Sequence, residues 1–145
     1  MNLWQITLTM QIIHLFYHQM TTLIDLYPFN NIRGYRKKEQ LLEAGVNGLT
    51  MGFPIVALLS GNKILMSIAV GLLGILCLGE FFTWWYPYLF GATEYWQKQY
   101  DQKFKSTIII LPSIKNNPIP NLEHLILHIL TLITFIMTAL LAYKG

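Results

Sequence analysis

Four histidines form two pairs whose spacing suits two ligands of one metal ion. His14 and His18 are four residues apart, and so are His124 and His128. On a helix this spacing puts both imidazoles on one face, about 6 Å apart. Imidazole together with carboxylate binds zinc, iron or copper, so the sequence predicts a divalent transition metal as one ligand. A single haem between His18 and His128 is a less favoured alternative.

Glu80 is the best candidate for a catalytic acid–base residue. It lies close in sequence to Cys77, Phe82 and Trp84, in a stretch that is otherwise apolar. A carboxyl near imidazoles can exchange protons at neutral pH, and aromatic rings can stack on a flat ligand. This combination is typical of an acid–base enzyme for a lipid-like substrate, or of a site that only binds such a molecule. The sequence leaves both interpretations open.

Four apolar stretches must position these side chains, because each is near the roughly 20 residues that cross a bilayer as a helix. They cover about residues 3–26, 38–59, 64–89 and 122–143. The composition agrees, since 54% of the residues are hydrophobic and 12% are charged, against about a quarter charged in soluble domains. The predicted fold is all-α, an integral membrane four-helix bundle in one domain over residues 1–145. The alternative is a soluble bundle of long buried helices.

Prolines and turn residues set the expected boundaries of these spans. The segment from Ser60 to Asn62 predicts a tight turn between the second and third spans. Pro54 is expected to break the second span, and Pro87 to kink or end the third, because proline cannot donate the helical hydrogen bond. A helix broken near the middle of the membrane is typical of transporters.

A short amphipathic helix is predicted in the connection between the third and fourth spans, from Thr93 to Lys105. Its apolar residues recur every four positions and form one stripe, consisting of Trp96, Tyr100 and Phe104. Such a helix can lie in the membrane interface. We expect the connection that contains it to cover the bundle as a lid.

The positive charges predict the orientation in the membrane. Eight of the ten Lys and Arg residues lie in or beside the connections 27–37 and 90–121, and the other two are Lys63 and Lys144. Because positively charged segments stay on the cytoplasmic side, we expect both connections in the cytoplasm and both termini outside. The first span has no basic n-region and no cleavage site, so we expect a multi-pass protein of the cell membrane of a bacterium. The basic residues fit anionic lipid headgroups, and a nucleic-acid partner is not expected.

Each span has one polar face, and four such faces can satisfy one another only by pointing inward. Along the helices, the ionisable groups lie at similar depths in the cytoplasmic half. The sequence therefore predicts a polar chamber there, capped by the connection 90–121. The expected ligand-binding residues are His14, His18, Glu43, Asn47, Glu80, Trp84 and His128.

The predicted function is the binding of a small ligand or a metal ion in this chamber. The alternatives are a subunit of a proton- or ion-coupled small transporter, a membrane-embedded acid–base enzyme, and interhelical hydrogen bonding with a structural role alone. The two glycines Gly48 and Gly52 are spaced as in helix dimers, which allows a homo-oligomer, although packing within one chain explains them as well. The identity of the ligand is left open.

Overall fold

The computed structural model describes residues 2–144, and every regular element in that range is helical. The all-α class predicted from the sequence is therefore confirmed over these residues. The elements are α1 (Leu3–Leu23), a 3₁₀ turn (Ile32–Gly34), α2 (Lys37–Ser60), α3 (Lys63–Glu80), a π-helical segment (Phe81–Trp85), α4 (Tyr86–Phe90), α5 (Glu94–Lys103) and α6 (Leu122–Lys144).

Local side-chain contacts explain where several helices begin. Asn2 and Gln5 cap the start of α1 reciprocally, each side-chain oxygen accepting from the backbone N–H of the other residue. The side-chain oxygens of Asn62 and Thr93 accept from backbone N–H groups in the first turns of α3 and α5, without a reciprocal bond. Gly61 adopts a φ of 64°, which ends α2 and reverses the chain into α3. The turn predicted at this point is confirmed.

The third long helix does not end at Pro87. The elements α3, the π-helical segment and α4 follow one another without a break and form one helix of 28 residues, Lys63–Phe90. Within the π-helical segment the N–H of Tyr86 donates to the carbonyl of Phe81, five residues earlier. This wider turn lets the helix pass a proline, which has no N–H of its own to donate.

Two other boundaries differ from the prediction. Pro54 does not break the second helix, because α2 continues through it and the proline ring is buried. Proline removes one backbone hydrogen bond, and the bonds of the turns on either side keep the helix intact. Helix α1 ends at Leu23, before the predicted end at Leu26. Asn30 folds back there and donates to the carbonyl of Thr21 at 2.6 Å, which satisfies a carbonyl of the last helical turn.

Four long helices pack side by side, and each contacts two others. Helix α1 lies against α2 and α6, and α3 lies against the same two helices. Hydrogen bonds fix an antiparallel register between α1 and α6. Gln11 bonds to Thr138, whereas Tyr17, further along α1, donates to the carbonyl of Glu123 near the start of α6.

The two ends of this assembly differ in chemistry. The connections 24–36 and 91–121 lie at one end, which we call the connection end. The opposite end contains the turn at Gly61, and we call it the terminal end. An apolar cluster of buried side chains lies near the terminal end, formed by Ala57, Leu58, Met66 and Ala69.

The usual distribution of polar and apolar side chains is inverted in this protein. Large apolar residues point outward, and Phe16, Leu49 and Ile64 are 67%, 80% and 71% exposed. The buried side chains of two long helices are polar, a pattern that favours lipid over water as the surroundings. In α1 they are Thr7, Gln11, His14, His18, Thr21 and Thr22, and in α6 they are His128, Thr131, Thr134 and Thr138.

Three helices within residues 2–144 are long and apolar enough to cross a membrane, namely Lys37–Ser60, Lys63–Phe90 and Leu122–Lys144. Helix α1 has a suitable length of 21 residues, but its polar inward face lowers its mean hydropathy. These features fit a multi-pass membrane protein. They agree with the prediction of a membrane protein that crosses the bilayer more than once.

Helix α5 forms where the sequence predicts it, but its apolar stripe faces the protein itself. Tyr100 and Phe104 are 4% and 6% exposed and pack against Trp84 of the long third helix. The ring centroids of Trp84 and Phe104 are 4.9 Å apart. Because the stripe is occupied by these contacts, it is not free to enter a membrane interface.

The two spaced glycines of α2 pack within the chain. A Cβ atom on Gly48 would lie 2.8 Å from Nε2 of Gln19, and one on Gly52 would lie 4.0 Å from Leu15. Both neighbours belong to α1. The absence of a side chain at Gly48 lets Gln19 reach across and donate to the carbonyl of Ala44 at 2.9 Å.

Candidate functional site

A hydrogen-bonded chain joins three of the long helices at one level. The hydroxyl of Thr131 in α6 lies 2.6 Å from Oε1 of Glu80 in α3 and 2.9 Å from Nε2 of His14 in α1. Thr131 and His14 are buried, and Glu80 is partly buried. We call these three residues the central triad.

The central triad can hold its protons in two arrangements. A threonine hydroxyl has one proton to donate and two lone pairs that accept. In the first arrangement His14 is a cation with a proton on both ring nitrogens, its Nε2–H donates to Thr131, and Thr131 donates to an ionised Glu80. In the second, a protonated Glu80 donates to Thr131, and Thr131 donates to Nε2 of His14. Passing between them moves one proton from His14 to Glu80 without breaking the chain.

His18 joins α1 to α2 close to the central triad. Nδ2 of Asn47 lies 3.2 Å from Nε2 of His18, and the hydroxyl of Thr22 lies 3.4 Å from its Nδ1. An amide nitrogen can only donate, so Nε2 of His18 accepts. The proton of this imidazole is therefore on Nδ1, where it points to Thr22.

The second histidine pair is held by aromatic and amide partners. The indole N–H of Trp85 donates to Nδ1 of His128 at 3.1 Å, which leaves the proton of His128 on Nε2. Nδ1 of His124 donates to Oδ1 of Asn121 at 2.7 Å. The ring of His124 also lies against Trp84, with centroids 4.1 Å apart.

The structure gives no support for the predicted metal centre. Among residues 2–144, no three side chains of His, Cys, Asp or Glu are grouped so that they could hold a metal ion. A histidine that binds a metal must offer a free lone pair on a ring nitrogen. The lone pairs of His18 and His128 accept hydrogen bonds from Asn47 and Trp85 instead. His14, His18 and His128 form hydrogen bonds between helices, and His124 bonds to Asn121 just before its own helix.

A small polar cavity lies at the connection end, separate from the central triad. Its volume is about 40 Å³. Glu43 of α2 and Glu123 and His124 of α6 contribute its ionisable groups, and Thr22 joins it to His18. The remaining lining residues are Thr21, Asn30, Asn31, Ile32, Tyr35, Gln40 and Phe104.

The first connection forms one wall of this cavity. Asp25 accepts from Arg33 at 2.6 Å, and this hydrogen bond holds the pKa of the Asp25 carboxyl below its usual value. Burial raises the pKa of the Tyr35 phenol, which therefore stays protonated and able to donate. Lys103 of α5 lies 4.2 Å from the centre of the Tyr35 ring. These contacts fix the connection against the helices.

The residues predicted to share one chamber thus lie in several places. His14 and Glu80 belong to the central triad, and His18 and Asn47 are bonded to each other nearby. Glu43 lies at the cavity of the connection end. The other predicted residues, Trp84, His124 and His128, form an aromatic group, and His124 of this group also lines the cavity.

Sequence reasoning missed residues that the structure makes central. Thr131 links Glu80 to His14, and only its place in the polar stripe of the fourth span could have indicated this. Glu123 lines the cavity at the start of α6. Asn30 completes the cavity wall from a connection, where no periodic pattern exists to indicate its direction.

No protein-family model, no curated protein and no solved structure matches this chain. Its function must therefore be inferred from the geometry of its own side chains.

Proposed function

We propose that this chain is a four-span membrane protein whose interior carries protons through the central triad of Glu80, Thr131 and His14. Helix α1 crosses the membrane together with the three more apolar helices, which makes four spans. Its 21 residues extend for about 30 Å, enough to cross the hydrocarbon core. Large apolar side chains such as Ile12, Ile13 and Phe16 are exposed on its outward face, and its buried residues are all polar.

One observation supports proton transfer above the other predicted functions. A carboxyl, a hydroxyl and an imidazole are joined at 2.6 Å and 2.9 Å inside the helices. Carboxyl, hydroxyl and imidazole groups are the side chains that exchange protons, and chains of them mark proton paths in membrane proteins. A role limited to helix packing would not require two titratable groups, Glu80 and His14, on the same hydroxyl of Thr131.

The cavity at the connection end supports a proton or a small polar ligand as the cargo. A volume of about 40 Å³ is far below the roughly 300–1,000 Å³ that holds a drug-sized molecule. It suits a few water molecules. Thr22 both lines this cavity and bonds to His18, which brings the cavity close to the interior histidines. A lipid-like substrate does not fit there.

The orientation is part of the same proposal. Basic residues cluster at the connection end, which we place in the cytoplasm with both termini outside. Labelling of Lys37 and Lys115 by a membrane-impermeant amine reagent, in cells and in opened membranes, tests this placement. Labelling of either lysine in intact cells would show that the connection end lies outside, opposite to the proposed orientation.

Proton flux in liposomes tests the proposed function. Purified protein is reconstituted with an internal pH dye, and a potassium diffusion potential drives protons inward. Glu80→Gln and Thr131→Val should each slow the flux roughly tenfold or more, because they remove the acid or the linking hydroxyl. Thr131→Ser retains the hydroxyl and should restore the flux.

Glu94→Gln is the matched control, since Glu94 is an exposed carboxylate at the start of α5. It should leave the flux unchanged. Equal flux in Glu80→Gln and Glu94→Gln, or a wild-type flux no greater than that of empty liposomes, would refute the proposal. Circular dichroism of each variant shows whether a loss of flux reflects a loss of helix.

A further inference from the structure

Two buried polar atoms lie without a partner between α1 and α6. Oε1 of Gln11 and Oγ1 of Thr134 are enclosed and have no hydrogen-bond partner among residues 2–144. Both side chains are 1% exposed. An unsatisfied polar atom in a buried site costs roughly 1–3 kcal/mol, so two of them on one interface require an explanation.

The register of the two helices puts these atoms at neighbouring levels. Gln11 bonds to Thr138 through its Nε2, and His14 bonds to Thr131. Along α6, Thr134 lies about 4.5 Å from the level of Thr131 and about 6 Å from that of Thr138. The unpartnered hydroxyl thus lies between the two hydrogen-bonded pairs, on the face of α6 that meets α1.

Thr134 also differs from other threonines of the long helices. Thr7 and Thr50 donate to the carbonyl four residues earlier, which is the usual way for a helix to satisfy a hydroxyl. Thr134 makes no such bond. Its hydroxyl is therefore free to serve a partner in the interface.

We infer that one water molecule bridges Gln11 and Thr134 in the interior of the helices. Water would donate to Oε1 of Gln11, bond to the hydroxyl of Thr134 and accept from the hydroxyl of Thr138. Three such partners are what a buried water normally has. A metal cation is disfavoured, because these three side chains carry no charge to offset its desolvation. This water would extend the proton path from His14 toward the terminal end, and that role rests on the proposed function.

The sign of a stability change tests the inference without reference to transport. Thr134→Val keeps the shape of the side chain and removes the hydroxyl. If water is bound, the variant removes one of its three partners and weakens the binding of the water that satisfies Gln11, so the unfolding equilibrium constant in detergent should rise, by up to roughly tenfold. If the site is dry, removing an unpartnered hydroxyl should lower that constant or leave it unchanged, and this result overturns the inference.

Two comparisons complete the stability test. Thr134→Ser keeps the hydroxyl and should remain much closer to the wild type than Thr134→Val. Thr138→Val removes a direct bond to Gln11 in either case, so it shows that the assay detects a loss of this size. Stabilisation of the wild type by sodium ions relative to choline would indicate a cation and would also overturn the inference.

A direct readout is magnetisation transfer from water to the side-chain amide protons of Gln11. We expect transfer in the wild type and its loss in Thr134→Val, whereas no transfer in the wild type contradicts the inference. The flux assay then separates the two proposals. If water is bound but the protein carries no proton flux, the water site stands and the proposed function is refuted. If the protein carries flux but the site is dry, the proposed function stands and the water site is refuted.

Discussion

The indole N–H of Trp85 donates to Nδ1 of His128 at 3.1 Å, across the contact between the third long helix and α6. Trp85 precedes Pro87 and lies in the π-helical segment, and its neighbour Trp84 in the same segment is buried. An indole N–H can only donate, so this bond fixes the tautomer of His128. It is the contact through which the irregular part of the helix determines the chemistry of a histidine.

Trp85→Phe should destabilise the protein and release that tautomer. Phenylalanine cannot donate, so Nδ1 of His128 loses its partner in a buried site, at a cost of about 1–3 kcal/mol in the free energy of unfolding. Unfolding in detergent and the ¹⁵N shifts of His128 measure the two effects. Trp4→Phe is the control, because Trp4 is 41% exposed near the terminal end. Unchanged ¹⁵N shifts in Trp85→Phe would contradict the assigned bond.

Gly48→Ala should destabilise the contact between α1 and α2. The new Cβ would lie 2.8 Å from Nε2 of Gln19, so the amide must move and lose its bond to the carbonyl of Ala44. Because the atom that must move is the free end of a flexible side chain, the loss relative to the control below is that of the hydrogen bond, about 0.5–1.5 kcal/mol in the free energy of unfolding. Gly45→Ala is the matched control, since a Cβ there meets no atom of residues 2–144 within 4 Å. That variant should gain up to about 1 kcal/mol from its better helix propensity. Equal stability of the two variants would show that the close approach at Gly48 does not matter.

Phe104→Ala should loosen α5 from the long helices. Phe104 is buried against Trp84 and His124, so truncation leaves a cavity and costs about 3 kcal/mol. Trypsin should then cut faster at the exposed Lys98 on α5. Tyr95→Ala, which changes a side chain that is 74% exposed, should be cut at the wild-type rate. If both variants are cut equally, the aromatic stripe does not anchor the helix.

The ion pair between Asp25 and Arg33 should give a stability that depends on acid pH. Its hydrogen bond lowers the pKa of Asp25 in the folded protein below the usual 3.8, so the unfolded chain binds a proton at higher pH than the fold does. The stabilisation is therefore complete above pH 3.8 and is lost as the pH falls through the lower folded pKa. The effect should be small, because both side chains are well exposed.

Thermal unfolding in detergent at several pH values measures this loss, with Asp25→Asn as the comparison. The difference in midpoint between the wild type and Asp25→Asn should narrow only below pH 3.8. A difference that stays constant into more acidic solution would show that the ion pair contributes nothing through its charge.

Features with a local period were predictable from the sequence. The four long helices, the short helix α5 and the polar buried faces of α1 and α6 follow from a repeat of 3.6 residues, which any helix presents in the same way. The common level expected for His18, Glu43 and Glu80 was derived from distances along each helix alone. These predictions required no knowledge of which helix lies beside which.

The pairing of side chains was decided by the tertiary structure. Whether Thr131 reaches both Glu80 and His14 depends on the rotation and register of three helices, and hydrogen bonds tolerate errors of only a few tenths of an ångström. The same packing turned the stripe of α5 inward and separated Glu43 from the central triad. Helical periodicity determines which side chains share a face, whereas only the packed assembly determines which of them meet across it.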